Sequence, residues 1–186
     1  MSDRLNGRVD VKLTPEGMSE VVALGSRLEG LARLHVYSSP QLRARQTAQA
    51  IAARHGVEPG IEPGLDEVDF GDWTGKRFAE LATDPDWHVW NSRRATARAP
   101  GGETMWEVQR RMLATMRRIA RRHHGGRVAL VSHAEVIRAA LLHLTGRTLN
   151  QYSEVAIDPA GVSTVVATRS AMRVVAVNER AARVPA

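Results

Sequence analysis

The chain has 186 residues, 43% of them hydrophobic, with a formal net charge of +6 and no cysteine. That length fits one globular domain over residues 1–186 with a sizeable core. The missing cysteines exclude a disulfide framework and thiolate chemistry, and no apolar run approaches the roughly 18 residues a bilayer crossing needs, so a soluble, unexported, cytoplasmic protein without a membrane partner is expected.

Taken in chain order, the first helix signal is Thr14-Pro15-Glu16: a hydroxyl cap, a proline in the first turn and an acid at the positive end. Met18, Val21, Val22, Leu24 and Leu28 supply its apolar stripe. Residues 34–38 (LHVYS) read as a short strand broken by Ser39-Pro40. A second helix opens at Pro40 or Gln41 and runs to about His55. Residues 65–73 (LDEVDFGDW) read as an irregular loop, followed by short helices near 76–82 and 86–91. Residues 93–102 are polar and punctuated by Pro and Gly, a surface loop expected to act with Trp73, Trp87, Trp90 and Trp106 as a lid, although tryptophans more often fill cores.

The longest helix spans about 104–123 and is closed by Gly125-Gly126. Of the 26 basic residues 24 are arginines, several as doublets on this helix, where they alternate with Met112, Leu113, Met116 and Ile119. That pattern describes a solvated helix face, and nucleic acid is not expected as a partner. Residues 127–132 (RVALVS) form a buried-type strand that feeds a helix over 134–144, ended by Gly146. Three strand candidates follow, 154–157, 163–168 and 172–177, with Asp158-Pro159-Ala160-Gly161 as a turn. Strands alternating with helices predict an α/β fold: a mostly parallel central sheet flanked by helices on both faces, with ligands at the carboxyl ends of its strands.

Two strands end alike, LHVYSSPQLRAR and RVALVSHAEVIR. Each hands over to a helix whose first turn carries a basic group, Arg43 in one and His133 in the other. Converging helix N-termini favour an anion, and an arginine fork matches phosphate oxygens. Alone, Arg43 reads as a surface arginine, His133 as a hydrogen-bonded structural residue and Glu67 as a solvated loop acid. Their joint appearance in this order points to a phosphate site.

With these motifs in place, the chain resembles the histidine phosphatase superfamily, the phosphoglycerate-mutase-like group. The likeness rests on RLNGRVDVKLTPEG, YSSPQLRARQTA, LDEVDFGDWTG, PGGETMWEVQRR and ALVSHAEVIRAAL, and runs from about Leu5 to Asn178. It implies a phosphomonoester phosphatase acting on a phosphorylated small molecule without cofactor or metal. Arg43 and His133 would hold the phosphoryl oxygens, Glu67 would protonate the departing oxygen, and Asn6 and Gly7 would line the substrate side. In such enzymes the phosphoryl group passes to a histidine, and water then opens the phosphohistidine.

That nucleophile belongs to an Arg-His-Gly run ending the family's first strand, which has no counterpart ahead of Leu5 here. Arg54-His55-Gly56 reads as a helix tail with a left-handed glycine, roughly 18 Å of helix from Arg43 at about 1.5 Å per residue. No histidine pattern suits a metal. The missing first strand would occupy the slot between the 34–38 and 127–132 strands; leaving it empty would strand ladder groups, so either the polypeptide begins about a dozen or more residues earlier and this is a shortened form, or the sheet re-pairs and the protein is a non-catalytic relative. Glu135, where relatives carry small residues, would repel phosphate unless neutralised, for example by Arg138. Two readings follow: a phosphatase lineage that is inactive or nearly so, or a non-catalytic phosphate-binding module, alone, as a homo-oligomer or paired with an active homologue.

Overall fold

The computed structural model describes residues 3–180. Its elements follow in the order α1 (Pro15–Leu28), β1 (Leu34–Ser38), α2 (Leu42–Ala53), β2 (Gly60–Ile61), α3 (Phe78–Leu81), α4 (Pro85–Ser92), α5 (Met105–Arg122), β3 (Arg127–Val131), α6 (Ala134–Leu144), β4 (Val162–Ala167) and β5 (Met172–Glu179). Short 3-10 segments lie at Pro63–Leu65, Gly71–Trp73 and Leu149–Glu154. Helix starts are where their caps predict. The Thr14 hydroxyl accepts from Gly17 N at 3.1 Å, and Thr104 and Glu107 form a reciprocal capping box at the head of α5.

β1 lies between β2 and β3 in a parallel sheet. Successive side chains of a strand point to opposite faces, and both faces here are apolar. Leu34 and Val36 of β1, with Ala129 and Val131 of β3, pack against Leu24 of α1 and Ala48, Ile51 and Ala52 of α2. Tyr37 and Leu130 enter the larger core on the other side, which α5 and α6 build together with Leu65, Val68, Phe70 and Trp73. The expected α/β arrangement, a parallel sheet with helices on both faces, is the one adopted. α1 lies so close to α2 that a Cβ on Gly25 would stand 2.6 Å from the Ala50 carbonyl oxygen.

The sheet also corrects an expectation. There is no vacancy between the 34–38 and 127–132 strands: β1 and β3 pair directly along their length, from Leu34↔Arg127 to Ser38↔Val131. The open position is the other edge of β3, to which no strand of the described residues is bonded, while β4 and β5 form a separate antiparallel ribbon. Val128 to Val131 are accordingly only half-buried, as a strand with one unpaired edge must be.

Other local readings change as well. Residues 154–157 do not form a strand; a 3-10 segment ends at Glu154, and Val155 is buried in the core without a strand partner. Met18 and Val22 of α1 are exposed, so its buried stripe narrows to Val21, Leu24 and Gly25. Trp73, Trp87 and Trp90 do cluster, with Phe70, as core packing. Trp106 is apart from them and 51% exposed on α5, with the Arg110 guanidinium over its ring. Among the described residues no helix is long and apolar enough to cross a membrane.

Candidate active site

The carboxyl ends of β1 and β3 are tied together one residue beyond the strand, where Ser39 N donates to the Val131 carbonyl at 2.9 Å. The next turn of each chain segment therefore starts from a common point. After β1, Gln41 caps α2 and Arg43 occupies its first turn. After β3, His133 holds the cap position of α6 and is 6% exposed. Arg43 Nη2 lies 3.8 Å from Glu67 Oε2, and His133 Nδ1 lies 3.7 Å from the same oxygen. The three residues singled out in the sequence are thus brought together.

Glu67 is delivered by a loop whose apolar members sink into the core. Leu65, Val68 and Phe70 are buried while Asp66, Glu67 and Asp69 stay at the rim. Arg111 of α5 grips the loop with its fork, donating to the carbonyls of Gly64 (3.1 Å), Asp66 (2.7 Å) and Glu67 (2.9 Å) while pairing with Glu103. Arg8 donates to the Glu67 carbonyl from the other side at 3.0 Å and pairs with Asp66, Asp69 and Glu103. Five charged residues thus hold the backbone that presents one carboxyl group.

Asp66 organises the neighbouring turn. Its Oδ1 accepts from the Ser39 hydroxyl (3.2 Å), Gln41 Nε2 (2.8 Å) and Glu67 N (2.8 Å). Since the single Ser39 proton is given to Asp66, the oxygen of Ser39 accepts from His133 Nε2 at 2.7 Å. That assigns the proton to Nε2 and leaves Nδ1 bare towards Glu67. Arg43 is engaged too, donating to the carbonyls of Val9 (3.0 Å) and Gly7 (2.7 Å). Gly7 is thereby part of the cluster through its backbone, in a left-handed conformation at φ 49°. Asn6 is half-buried beside it, with no side-chain bond to Arg43, Glu67 or His133 among the described contacts.

Burial sets the charge state. Desolvation pushes the Glu67 carboxyl up to about 7, the Val68 N–H opposing and the Glu135 carboxylate adding to the rise, with Arg43 and Arg111 pulling the other way. Desolvation and then the cations Arg43, Arg111 and Arg8 hold His133 down at about 3. Near neutral pH the imidazole is uncharged and Glu67 is half protonated, the condition of an acid ready to give a proton.

The first N–H of α2 is not free for an anion as expected, because Leu42 N donates to Asp10 Oδ1 at 2.6 Å. Glu135 is neutralised, by more than the expected partner: Arg138 Nη1 and Arg94 Nη1 each lie 3.0 Å from its oxygens, and the Tyr152 hydroxyl also donates to it. Arg54-His55-Gly56 closes α2 at the opposite end from Arg43, with Gly56 at φ 61°. His35 and His123 stack on each other, and Tyr37 bonds to His123. Of the chain's histidines only His133 has a described contact with Arg43 or Glu67. No group of three or more metal-ligating side chains occurs among the described residues. Two shallow hollows lie elsewhere, about 320 Å³ beside Leu42, Gln46 and Ile61 and about 240 Å³ beside Trp106 and Arg110.

Sequence reasoning missed Ser39, Asp66, Arg8, Arg111 and Arg94. Ser39 and Asp66 stood inside quoted motifs, directly after β1 and directly before Glu67, so position could have found them. Arg8 and Arg111 also stood inside quoted motifs, but they and Arg94 reach the loop or α6 from 41 or more residues away, and no local signal names their partners.

The family description "Histidine phosphatase superfamily (branch 1)" matches residues 1–180. Phosphoglycerate mutase-like protein 4 of Arabidopsis thaliana is 33% identical over 141 residues, 73% of this chain and 61% of that protein. A metal-independent phosphoserine phosphatase of the same plant is 32% identical over 157 residues, 79% of this chain and 66% of that one. The aligned stretch is therefore under two thirds of either relative. Among solved structures, Bacillus stearothermophilus YhfR superposes with a TM-score of 0.87 at 26% identity, covering 94% of this chain and 88% of that one.

Proposed function

The chain belongs to the histidine phosphatase superfamily, and on that premise we propose that the Arg43–Glu67–His133 cluster binds the phosphoryl group of a phosphorylated small molecule. The observation that carries the reading is the meeting of Arg43 and His133 on one oxygen of Glu67. An entering phosphate would replace the Gly7 and Val9 carbonyls as acceptor for the Arg43 fork and would bring a proton to the bare Nδ1 of His133, which would then donate a hydrogen bond back to a phosphoryl oxygen. Glu67, kept half protonated near neutral pH by burial, would hand its proton to the oxygen that leaves. Simple hydrolysis is the reaction class this arrangement suits, without a cofactor or metal.

In-line phosphoryl transfer needs a nucleophile on the side away from the leaving oxygen. No second imidazole touches the cluster among the described residues, so the residues present should bind phosphate and turn over little. A non-catalytic module holding a phosphorylated metabolite is the second reading, favoured by that same lack of a second imidazole. Titrating inorganic phosphate while following the melting temperature, alongside an assay with an aryl phosphate, tests both. Binding to the folded form raises the midpoint. A midpoint that stays flat through millimolar phosphate would remove the proposed site. Rapid hydrolysis that survives in His55→Ala and vanishes in His133→Ala would give His133 a role beyond holding oxygen.

A further inference from the structure

Asp10 borders the proposed site without being one of the three residues that form it. It lies on the segment that leads into α1, and its Oδ1 accepts from Leu42 N, at the head of α2, at 2.6 Å. So short a contact is that of an ionised acceptor at the positive end of a helix. Its Oδ2 lies 3.7 Å from Arg45 Nη2. Further along the same segment, Leu13 N donates to Gln46 Oε1 at 2.9 Å.

The contact is reciprocal. Leu42 gives its backbone N–H to Asp10, and the next residue, Arg43, gives its side chain back to the segment, Nη1 to the Val9 carbonyl at 3.0 Å and Nη2 to the Gly7 carbonyl at 2.7 Å. Both ends of the guanidinium fork are held, and Nη2 lies 3.8 Å from Glu67 Oε2. An arginine without such contacts samples many rotamers, and ordering it counts against any ligand.

The Asp10 charge has two opposed effects: it repels an incoming phosphate, and it fixes the segment whose carbonyls hold Arg43. The side chain is 58% exposed, so water and salt screen the repulsion. The bond to Leu42 N is direct and is made next to Arg43, and the fixing outweighs the repulsion.

We infer that Asp10 is a positioning residue for Arg43: it latches residues 7–10 to the head of α2 and so holds the fork beside Glu67 before a ligand arrives. The inference rests on the proposed phosphate site. It gives a carboxylate the effect of raising the affinity of a neighbouring anion.

The test follows inorganic phosphate binding to the whole chain by phosphorus NMR at constant ionic strength, with folding checked by melting curves. Asp10→Ala should weaken binding about tenfold, the scale of ordering one long side chain. Asp10→Asn, which keeps an oxygen for Leu42 N, should stay within about threefold of the parent. Leu42→Pro removes the latched N–H but leaves the Asp10 charge, at a first helical position where proline is tolerated; Gln41 already has the extended conformation that precedes a proline (φ −64°, ψ 139°). It should weaken binding as Asp10→Ala does. In an Arg43→Lys background, which keeps a cation but not the fork, Asp10→Ala should change affinity by less than about twofold, because the latch acts through that fork.

Unchanged or tighter binding in folded Asp10→Ala or Leu42→Pro overturns the inference. So does equal weakening by Asp10→Ala in both backgrounds, or failure of Asp10→Asn to restore affinity. A parent that binds no phosphate overturns the phosphate-site reading itself, and the two failures are thus distinct.

Discussion

His133 Nε2 lies 2.7 Å from the Ser39 hydroxyl, and both residues are buried. The hydroxyl donates its own hydrogen bond to Asp66 Oδ1, so one serine fixes the imidazole's tautomer and ties α6 to the loop that carries Glu67. Ser39→Ala leaves a buried N–H without an acceptor, which costs about 1–3 kcal/mol. Urea unfolding at pH 7 should register that loss, and a variant as stable as the parent would mean the ring is held by other contacts.

The pH dependence of stability carries the signature of Glu67. Its folded-state value is raised from 4.5 to about 7, so the folded chain holds a proton that the unfolded chain has released. That contribution is fully present below about pH 4.5 and is lost as pH rises through about 7. Glu67→Gln cannot ionise and should gain on the parent by up to about 3 kcal/mol between pH 4 and pH 8, at 1.36 kcal/mol per unit. His133 has the opposite sign: its value is depressed to about 3, so its contribution is present above about pH 6.5 and is lost as pH falls towards 3. Unfolding curves of parent and Glu67→Gln that stay parallel from pH 4 to pH 8 would place the carboxyl in water.

Arg111 keeps its charge but not its fork when it becomes lysine. The three carbonyls it grips, those of Gly64, Asp66 and Glu67, cannot all be reached by one ammonium group. Losing two such bonds to a charged donor should cost about 3 kcal/mol or more and weaken phosphate binding through disorder of the Glu67 loop. Arg111→Lys with parent stability and parent phosphate affinity would show that the loop holds itself.

The open edge of β3 leads at its carboxyl end into Ser132 and His133. A strand laid along that edge in parallel would end beside the cluster. Placing an alternating apolar segment that ends in Arg-His-Gly ahead of residue 1 should therefore produce hydrolysis of an aryl phosphate well above the parent's. Exchange of the added histidine for alanine should abolish it. Activity unchanged by the extension in a folded protein would contradict the placement of a nucleophile at this edge.

How much of this was legible beforehand differs by length scale. β1 and α6 were readable to the residue because strand-length apolar runs end at Ser39-Pro40 and at Gly146. Arg43, Glu67 and His133 were readable because each follows a strand end or sits in a quoted motif. Strand order was not, since alternation tells which face a side chain takes but not which strand lies alongside; hence the vacancy expected between β1 and β3 lies on the far edge of β3. Nor were Arg8, Arg94 and Arg111 legible, because a long side chain's partner is fixed by tertiary approach. Residues 154–157 have the composition of a strand, but no neighbour offers them a ladder.

The most direct test of the central claim is a crystal of this chain soaked with tungstate, a heavy analogue of phosphate, and read by anomalous diffraction. The account predicts one strong peak within about 4 Å of both the Arg43 guanidinium and the His133 ring, the range of a charge-assisted contact, and its loss in Arg43→Ala. Tungstate bound only along the arginines of α5, with the Arg43–Glu67–His133 cluster unaltered, would contradict it.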